Sequence, residues 1–186
     1  IDAAISGRRF GRVFQLSKFE YVIDFRIADS RYLFVSIEPA DPRVYLIERR
    51  LRDLERSAGN PSPFALQLKK HLSNFVSEGI EQADGERVAT FRFSGIAEIG
   101  GSRGLALVIQ LTGRSSNLFI SDENGVILER ARETIGEGQQ QGDVYSPPPR
   151  PEKRRETDTT KIRQHTSGSL SDILDREYTE LAEQRR

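Results

Sequence analysis

Leu111-Thr-Gly-Arg-Ser-Ser-Asn-Leu-Phe-Ile-Ser-Asp122 is the stretch from which the fold is read. An apolar run, Leu105 to Leu111, enters a turn at Thr112-Gly113. Arg114, Ser115, Ser116 and Asn117 follow, and a second apolar run begins at Leu118. Two buried strands joined by so short a polar segment predict a hairpin that holds a cation, two hydroxyls and an amide on a rigid base. The next turn, Asp122-Glu-Asn-Gly125, is a second hairpin signal, because Asn-Gly accepts positive φ.

Working outward, strands dominate the chain up to about residue 135. Tyr21, Ile23, Phe25 and Ile27 alternate with Val22, Asp24 and Arg26, which predicts a half-buried strand. Asp29-Ser30 turns the chain into Arg31 to Ile37, apolar on both faces, and Pro39-Ala-Asp-Pro42 turns it again into Arg43 to Ile47. A short strand, Phe10 to Leu16, precedes this set. A second set is predicted over 80–83, 88–93, 105–111, 118–121 and 126–128. Between the sets lies one helix: Ser62 caps it, Pro63 suits its first position, and Phe64, Leu68, Leu72 and Phe75 line one face. The expected architecture is α+β, with two antiparallel sheet units packed face to face and joined by a helix.

Residues 136–168 change character. They are rich in Gly, Gln, Pro and charge, with Pro147-Pro-Pro149 and Lys153-Arg-Arg155, and read as a linker that buries too little apolar surface to order itself. Residues 169–186 turn helical. Ser169 and Asp172 form a start signal, and Leu170, Leu174, Tyr178 and Leu181 share a face beside Ile173, a pattern compatible with the start of a coiled coil.

Composition narrows the function. The 186 residues fit one domain with a tail, and an apolar fraction of 36% is low for a chain packed throughout. Lys and Arg number 28 and Asp and Glu 28, so bulk charge favours neither nucleic acid nor membrane, and only local patches can. Without cysteine there are no disulfides, thiolate metal sites or cysteine catalysis, which is compatible with a reducing compartment. No apolar run approaches the ~18 residues of a membrane span. The chain opens on Ile1 without a secretion-signal pattern and contains no Met, so its natural start is expected to be missing.

Catalytic constellations are absent from the sequence. His71, beside the apolar face of the helix, and His165, in the linker, are too far apart and too few for zinc. No phosphate-binding G-x-x-x-x-G-K-[ST] loop or G-x-S-x-G elbow occurs. The glycines at 95, 100, 101 and 104 lie between strands rather than opening a helix. The expectation is a binding module, not an enzyme, with no cofactor or metal. Its candidate ligands are basic: Arg8, Arg9 and Arg12 around the first strand, Lys69-Lys70 on the polar side of the helix, Arg87 at a strand start, and Arg114 in the turn. Arginine binds phosphate bidentately and fixes register without reading sequence.

Read as a series, several motifs resemble one family. Gly7-Arg-Arg-Phe10 with Val13-Phe-Gln15 and Lys18 resembles the opening of the NFACT N-terminal domain, the N-terminal domain of the RqcH/NEMF ribosome quality-control factors, also named fibronectin-binding protein A. Further resemblances follow in order: Ser36-Ile-Glu-Pro39 with Arg43-Val-Tyr45; Asn60-Pro-Ser-Pro-Phe64 running to Leu68-Lys-Lys-His-Leu72; the 111–117 turn; and Tyr145-Ser-Pro-Pro-Pro149. The match covers roughly residues 1 to 151. It implies a cytoplasmic factor that binds the large ribosomal subunit and tRNA on stalled nascent chains, and assists addition of a C-terminal alanine tail. The fold implied is similar to the N-terminal domain of formamidopyrimidine-type DNA glycosylases, whose proline nucleophile this chain does not show.

Carried over residue by residue, the family's Asp-Arg pair tied to tRNA binding falls on Glu86-Arg87, with Glu one methylene longer than Asp. In the turn Gly113, Arg114, Ser116 and Asn117 match, and Ser115 stands where the family has His. The expected RNA-binding set is therefore Glu86, Arg87, Arg114, Ser116, Asn117, Lys18, Lys69 and Lys70. The 169–178 segment resembles the start of the family's coiled-coil arm, while residues 152–168 are too few and too polar to hold the helix-hairpin-helix segment expected before it. The alternative reading is a protein-interaction domain, fibronectin-binding in the adhesin sense, without RNA binding.

Overall fold

The computed structural model describes residues 1–82, 85–96, 101–149 and 169–184. Two antiparallel meanders make up the body. The first has the strand order β1 (Val13–Ser17), β2 (Glu20–Ile23), β3 (Arg31–Ser36), β4 (Arg43–Glu48), and the second β5 (Val76–Gln82), β6 (Val88–Ile96), β7 (Ser102–Gln110), β8 (Asn117–Asp122), β9 (Ile127–Arg130). This is the α+β arrangement of two antiparallel sheets that the alternation predicts. One apolar cluster joins the inner faces: Tyr21, Ile23, Leu33, Val35 and Leu46 of the first sheet, and Phe91, Phe93, Leu105, Leu107, Ile109, Leu118 and Ile120 of the second. Phe25 stacks on Phe93 with ring centroids 6.0 Å apart, and Phe10 meets both rings edge-on.

Helix α3 (Pro63–Leu72) is the helix predicted between the sheets, with Ser62 Oγ accepting from the Ala65 amide and Phe64, Leu68 and Leu72 buried. It touches β1 and β9, an edge strand of each sheet, and so closes the seam between them. Two short helices were not expected: α1 (Asp2–Ile5), whose Asp2 carboxylate accepts from the Ile80 amide of β5, and α2 (Leu51–Ser57), whose Leu54 is buried under the first sheet. Both are too short to show a periodicity in sequence. Strand β5 begins at Val76, four residues before the expected start, because Arg8 and Arg9 pair with Ser77 and Val76 across its edge.

The stretch expected to be linker divides. Residues 136–149 lie along β9: the Ile127 amide donates to Asp143 O, Val126 bridges Val144, and Gln139 is buried. Backbone hydrogen bonds and one aromatic side chain, Tyr145 on Phe119, order this Gly/Gln-rich segment rather than an apolar core of its own. The remaining linker residues, with Lys153-Arg-Arg155 and His165, lie outside the described residues.

The C-terminal helix α4 (Leu170–Gln184) forms as predicted, with Ser169 Oγ accepting from the Asp172 amide. Its buried face differs from the expected one. Ile173, Leu174 and Tyr178 turn inward, whereas Leu170 and Leu181 are 63% and 44% exposed. The rotation brings Ser171 and Asp175 to the free edge of β4, where they accept hydrogen bonds from the Leu46 and Glu48 amides. An open strand edge offers a row of unpaired backbone groups, and here a helix supplies side-chain acceptors to it.

Candidate nucleic-acid interface

The turn singled out in the sequence is built from its buried ends upward. Gln110, the last residue of β7, pairs across the sheet with Val88 on one side and Asn117 on the other. One step further, the Leu111 amide donates to Arg87 O at 2.7 Å. The Glu86-Arg87 step and the 112–116 turn are therefore neighbours at one end of the second sheet. The turn is a single 3-10 winding, Gly113–Ser115, with Gly113 at φ +71° and the Ser116 amide donating to Gly113 O. Arg114 and Ser115 are exposed at its tip.

Buried amides fix this tip. Gln110 is fully buried; its Nε2 donates to Ser115 O and its Oε1 accepts from the Tyr145 hydroxyl at 2.8 Å. Burial, and then the Glu86 carboxylate, push the Tyr145 phenol well above its ordinary range, so it remains a neutral donor. Asn117, also fully buried, donates to Arg132 O and accepts from the Arg132 and Leu118 amides, each at 2.9 Å. Its side chain thus holds the chain after β9 against the start of β8 and sets the turn. Ser116 is 1% exposed and its hydroxyl has no hydrogen-bond partner; it sits under a cleft of about 310 Å³ rimmed by Arg114, Ile135 and Pro148.

Arg132, which the sequence did not single out, connects the turn to the other sheet. Its Nη1 donates to Ser116 O at 2.7 Å and Arg114 O at 3.4 Å, and its guanidinium lies 5.3 Å from the Phe19 ring centroid. Lys18 stands over the same ring at 5.2 Å. Each cation gains from the ring's negative face. The β1–β2 turn is thereby joined to the Arg114 turn, with Pro39 of the β3–β4 turn beside Gly113.

Among the described residues six arginines are held in ion pairs: Arg12, Arg31, Arg43, Arg49, Arg92 and Arg130. Among the described residues Arg87, Arg114 and Lys18 form none, and all three are exposed. A chain of zero net charge thus leaves cations unmatched at this end. The structure brings together Glu86, Arg87, Arg114, Ser116, Asn117 and Lys18. Lys69 and Lys70 are elsewhere. The start of α3 is anchored at the Lys18 end, where the Ser62 amide donates to Gln15 Oε1 and Gln15 reaches Lys18 O. Ten helical residues, about 15 Å, carry the last turn of α3 away from it. The two lysines project there, near Arg103 and His71.

Comparison with known proteins identifies the family. The model of the NFACT N-terminal and middle domains matches residues 1–184. This chain belongs to that family. Among similar proteins, Rqc2 homolog RqcH of Bacillus subtilis (strain 168) is 27% identical over 130 residues, covering 68% of this chain and 22% of the relative. Rqc2 homolog RqcH of Streptococcus suis (strain 05ZYH33) is 26% identical over 156 residues, covering 80% and 28%. The chain thus spans about a quarter of the length of these relatives. Two solved structures share the fold. The N-terminal part of the fibronectin/fibrinogen-binding protein from Streptococcus suis has a TM-score of 0.68 at 25% identity, covering 80% of this chain and 57% of that one. The N-terminal domain of fibronectin-binding protein PavA from Streptococcus pneumoniae has a TM-score of 0.69 at 22% identity, covering 99% and 76%.

Proposed function

We propose that this chain is an RNA-binding module of a ribosome-associated quality-control factor, one that meets tRNA on the large ribosomal subunit carrying a stalled nascent chain and assists C-terminal alanine tailing. The observation that carries the reading is the convergence of Arg87, Arg114 and Lys18, exposed and without ion pairs among the described residues, on one pinned end of the domain. Rigid arginines that need not break an internal salt bridge meet phosphate oxygens at low cost. Family membership supplies the biological context. In this reading Arg87 and Arg114 touch the RNA, Lys18 adds charge, Glu86 orients Arg87 or accepts from a base, and Ser116 and Asn117 hold the turn. The module acts by binding and not by catalysis, in the cytoplasm, and its fold is related to the N-terminal domain of the formamidopyrimidine-type glycosylases.

The test is fluorescence anisotropy with labelled tRNA at two salt concentrations. The parent chain is expected to bind, to weaken as salt rises because counterion release is lost, and to lose affinity as Arg87→Ala and Arg114→Ala. Absence of binding at low salt would remove the proposal. A second reading, a protein-docking module, draws on the fibronectin- and fibrinogen-binding names of the structural neighbours. It predicts fibronectin capture with little salt dependence.

A further inference from the structure

The end of α3 gathers a second set of cations. Lys69 and Lys70 are exposed on its last turn, Arg103 is the second residue of β7, and exposed Arg9 precedes β1. His71 lies between two of them: beyond its own burial, it feels Arg103 and Lys70, with Glu129 opposing them. Arg9 reaches the same place by donating to Asn74 O at 3.3 Å. Among the described residues none of these four cations is in an ion pair. The negative end of the helix dipole accounts for lysines on its last turn, but not for Arg9 or Arg103, which come from other elements.

Beside them opens a cleft of about 480 Å³. Its floor is the Phe75 ring, which lies so close to Gly95 that a Cβ there would stand 2.7 Å from ring carbons. Asn74, Ser94 and Ser102 supply amide and hydroxyl donors around it, while the Ser73 hydroxyl donates to Lys69 O at 2.6 Å. Ser94 and Ser102 lie at the far end of the β6–β7 pair from Arg87, with most of the nine residues of β6, roughly 25–30 Å, between the two ends.

We propose that this end is a second RNA contact, holding phosphodiester backbone through Lys69, Lys70, Arg103 and Arg9 and reading no bases. It rests on the RNA-binding reading above and extends it to a separate segment of the ligand. Neutral donors beside three exposed cations and the half-buried Arg103 suit phosphate oxygens, and neither type carries sequence information. Because the two ends are far apart, each neutralises its own phosphates, and the salt dependence of binding is the sum of both.

The test measures tRNA affinity across a salt series for the parent chain, the Lys69→Ala/Lys70→Ala/Arg103→Ala triple variant, and the Arg87→Ala/Arg114→Ala pair. The triple variant is expected to reduce the slope of log affinity against log salt by about 2–3, at roughly 0.7–0.9 per phosphate released. Should it fail to fold, Lys69→Ala/Lys70→Ala alone is expected to remove about 1.4–1.8 by the same counting. An unchanged slope in the lysine variants, with binding lost in the Arg87/Arg114 pair, overturns this contact and leaves the first. No binding by the parent chain overturns both. Polyglutamate binding to the parent chain but not to the Lys69→Ala/Lys70→Ala variant, with the tRNA salt slope the same in both, assigns the surface to acidic peptide and overturns the proposal as well.

Discussion

Asp175→Ala is expected to undock α4 from β4 without unfolding the sheets. The Asp175 carboxylate accepts from both terminal nitrogens of Arg49, at 2.6 and 2.7 Å, and from the Glu48 amide at 3.3 Å. Its side chain is 15% exposed and that of Arg49 35%. A solvated pair contributes at most about 1 kcal/mol, whereas a hydrogen bond to a charged group contributes about 1.5–3. This pair is bidentate but partly open to water, so about 2–3 kcal/mol is the appropriate scale, a factor of roughly 30–150 in the docking equilibrium. The Ser171 hydroxyl, which accepts from the Leu46 amide, and Tyr178, stacked on Tyr45 and bonded to Asp41, remain to resist. Amide hydrogen exchange reads the result directly. Protection of Leu46 and Glu48 is expected to fall by that factor. Tyr45 and Ile47, whose amides point the other way along an alternating ladder, are expected to keep theirs. Unchanged exchange at Leu46 and Glu48 would show that Asp175 does not hold the helix. An equal fall at Tyr45 and Ile47 would show that α4 and the sheet open as one unit, and either result refutes the reasoning.

Three further predictions concern the body of the domain. Asn117→Ala removes buried hydrogen bonds to Arg132 and Leu118 and is expected to destabilise by about 2–4 kcal/mol in urea unfolding, with tRNA affinity falling because Arg114 loses its fixed position. Gly95→Ala forces a methyl into the Phe75 ring and is expected to cost about 1–3 kcal/mol by the same measurement; a neutral result would mean that the ring moves aside freely. His71 has its pKa lowered by burial and then by Arg103, so the folded state resists its protonation. Its contribution to stability is therefore full above the unfolded value of about 6.5 and is lost as pH falls below it. His71→Gln is expected to flatten the decline in melting temperature just below pH 6.5, and an unaltered decline would assign it to other groups.

The sequence was most legible where local chemistry dictates the backbone. Ser62-Pro63 and the 3.6-residue spacing of Phe64, Leu68 and Leu72 locate the start of α3 to the residue, whereas Phe75, expected on the same helix face, lies beyond its end at Leu72. Asn124-Gly125 locates the β8–β9 hairpin, with Gly125 at φ +80° and Asp122 Oδ1 accepting from the Asn124 and Val126 amides. What escaped was long-range. The order of residues 136–149 comes from pairing with β9 and from the Tyr145–Gln110 bond, between residues 35 apart. The rotation of α4 follows from the edge of β4, more than 120 residues earlier. The candidate site shows the same division. Arg114 and Arg87 were visible as cations at strand ends, and cross-strand pairing makes them neighbours. Arg132 and Gln110 carry no spacing signal, because Arg132 bonds backbone carbonyls of another segment and Gln110 bonds the Ser115 carbonyl and the distant Tyr145 hydroxyl. Sequence does not reveal which end of a helix meets which end of a sheet, so it could not place Lys69 and Lys70 relative to the Arg87–Arg114 end.

The central claim, that the Arg87–Arg114 end receives RNA, is tested most directly by titrating unlabelled tRNA into the isotope-labelled chain and following backbone amides by NMR. The account predicts saturable shifts concentrated at residues 86–88, 112–116, 18–19 and 132, reversed by added salt. Titration to excess tRNA with no shift at these amides, or with shifts confined to α4 and β4, would contradict it.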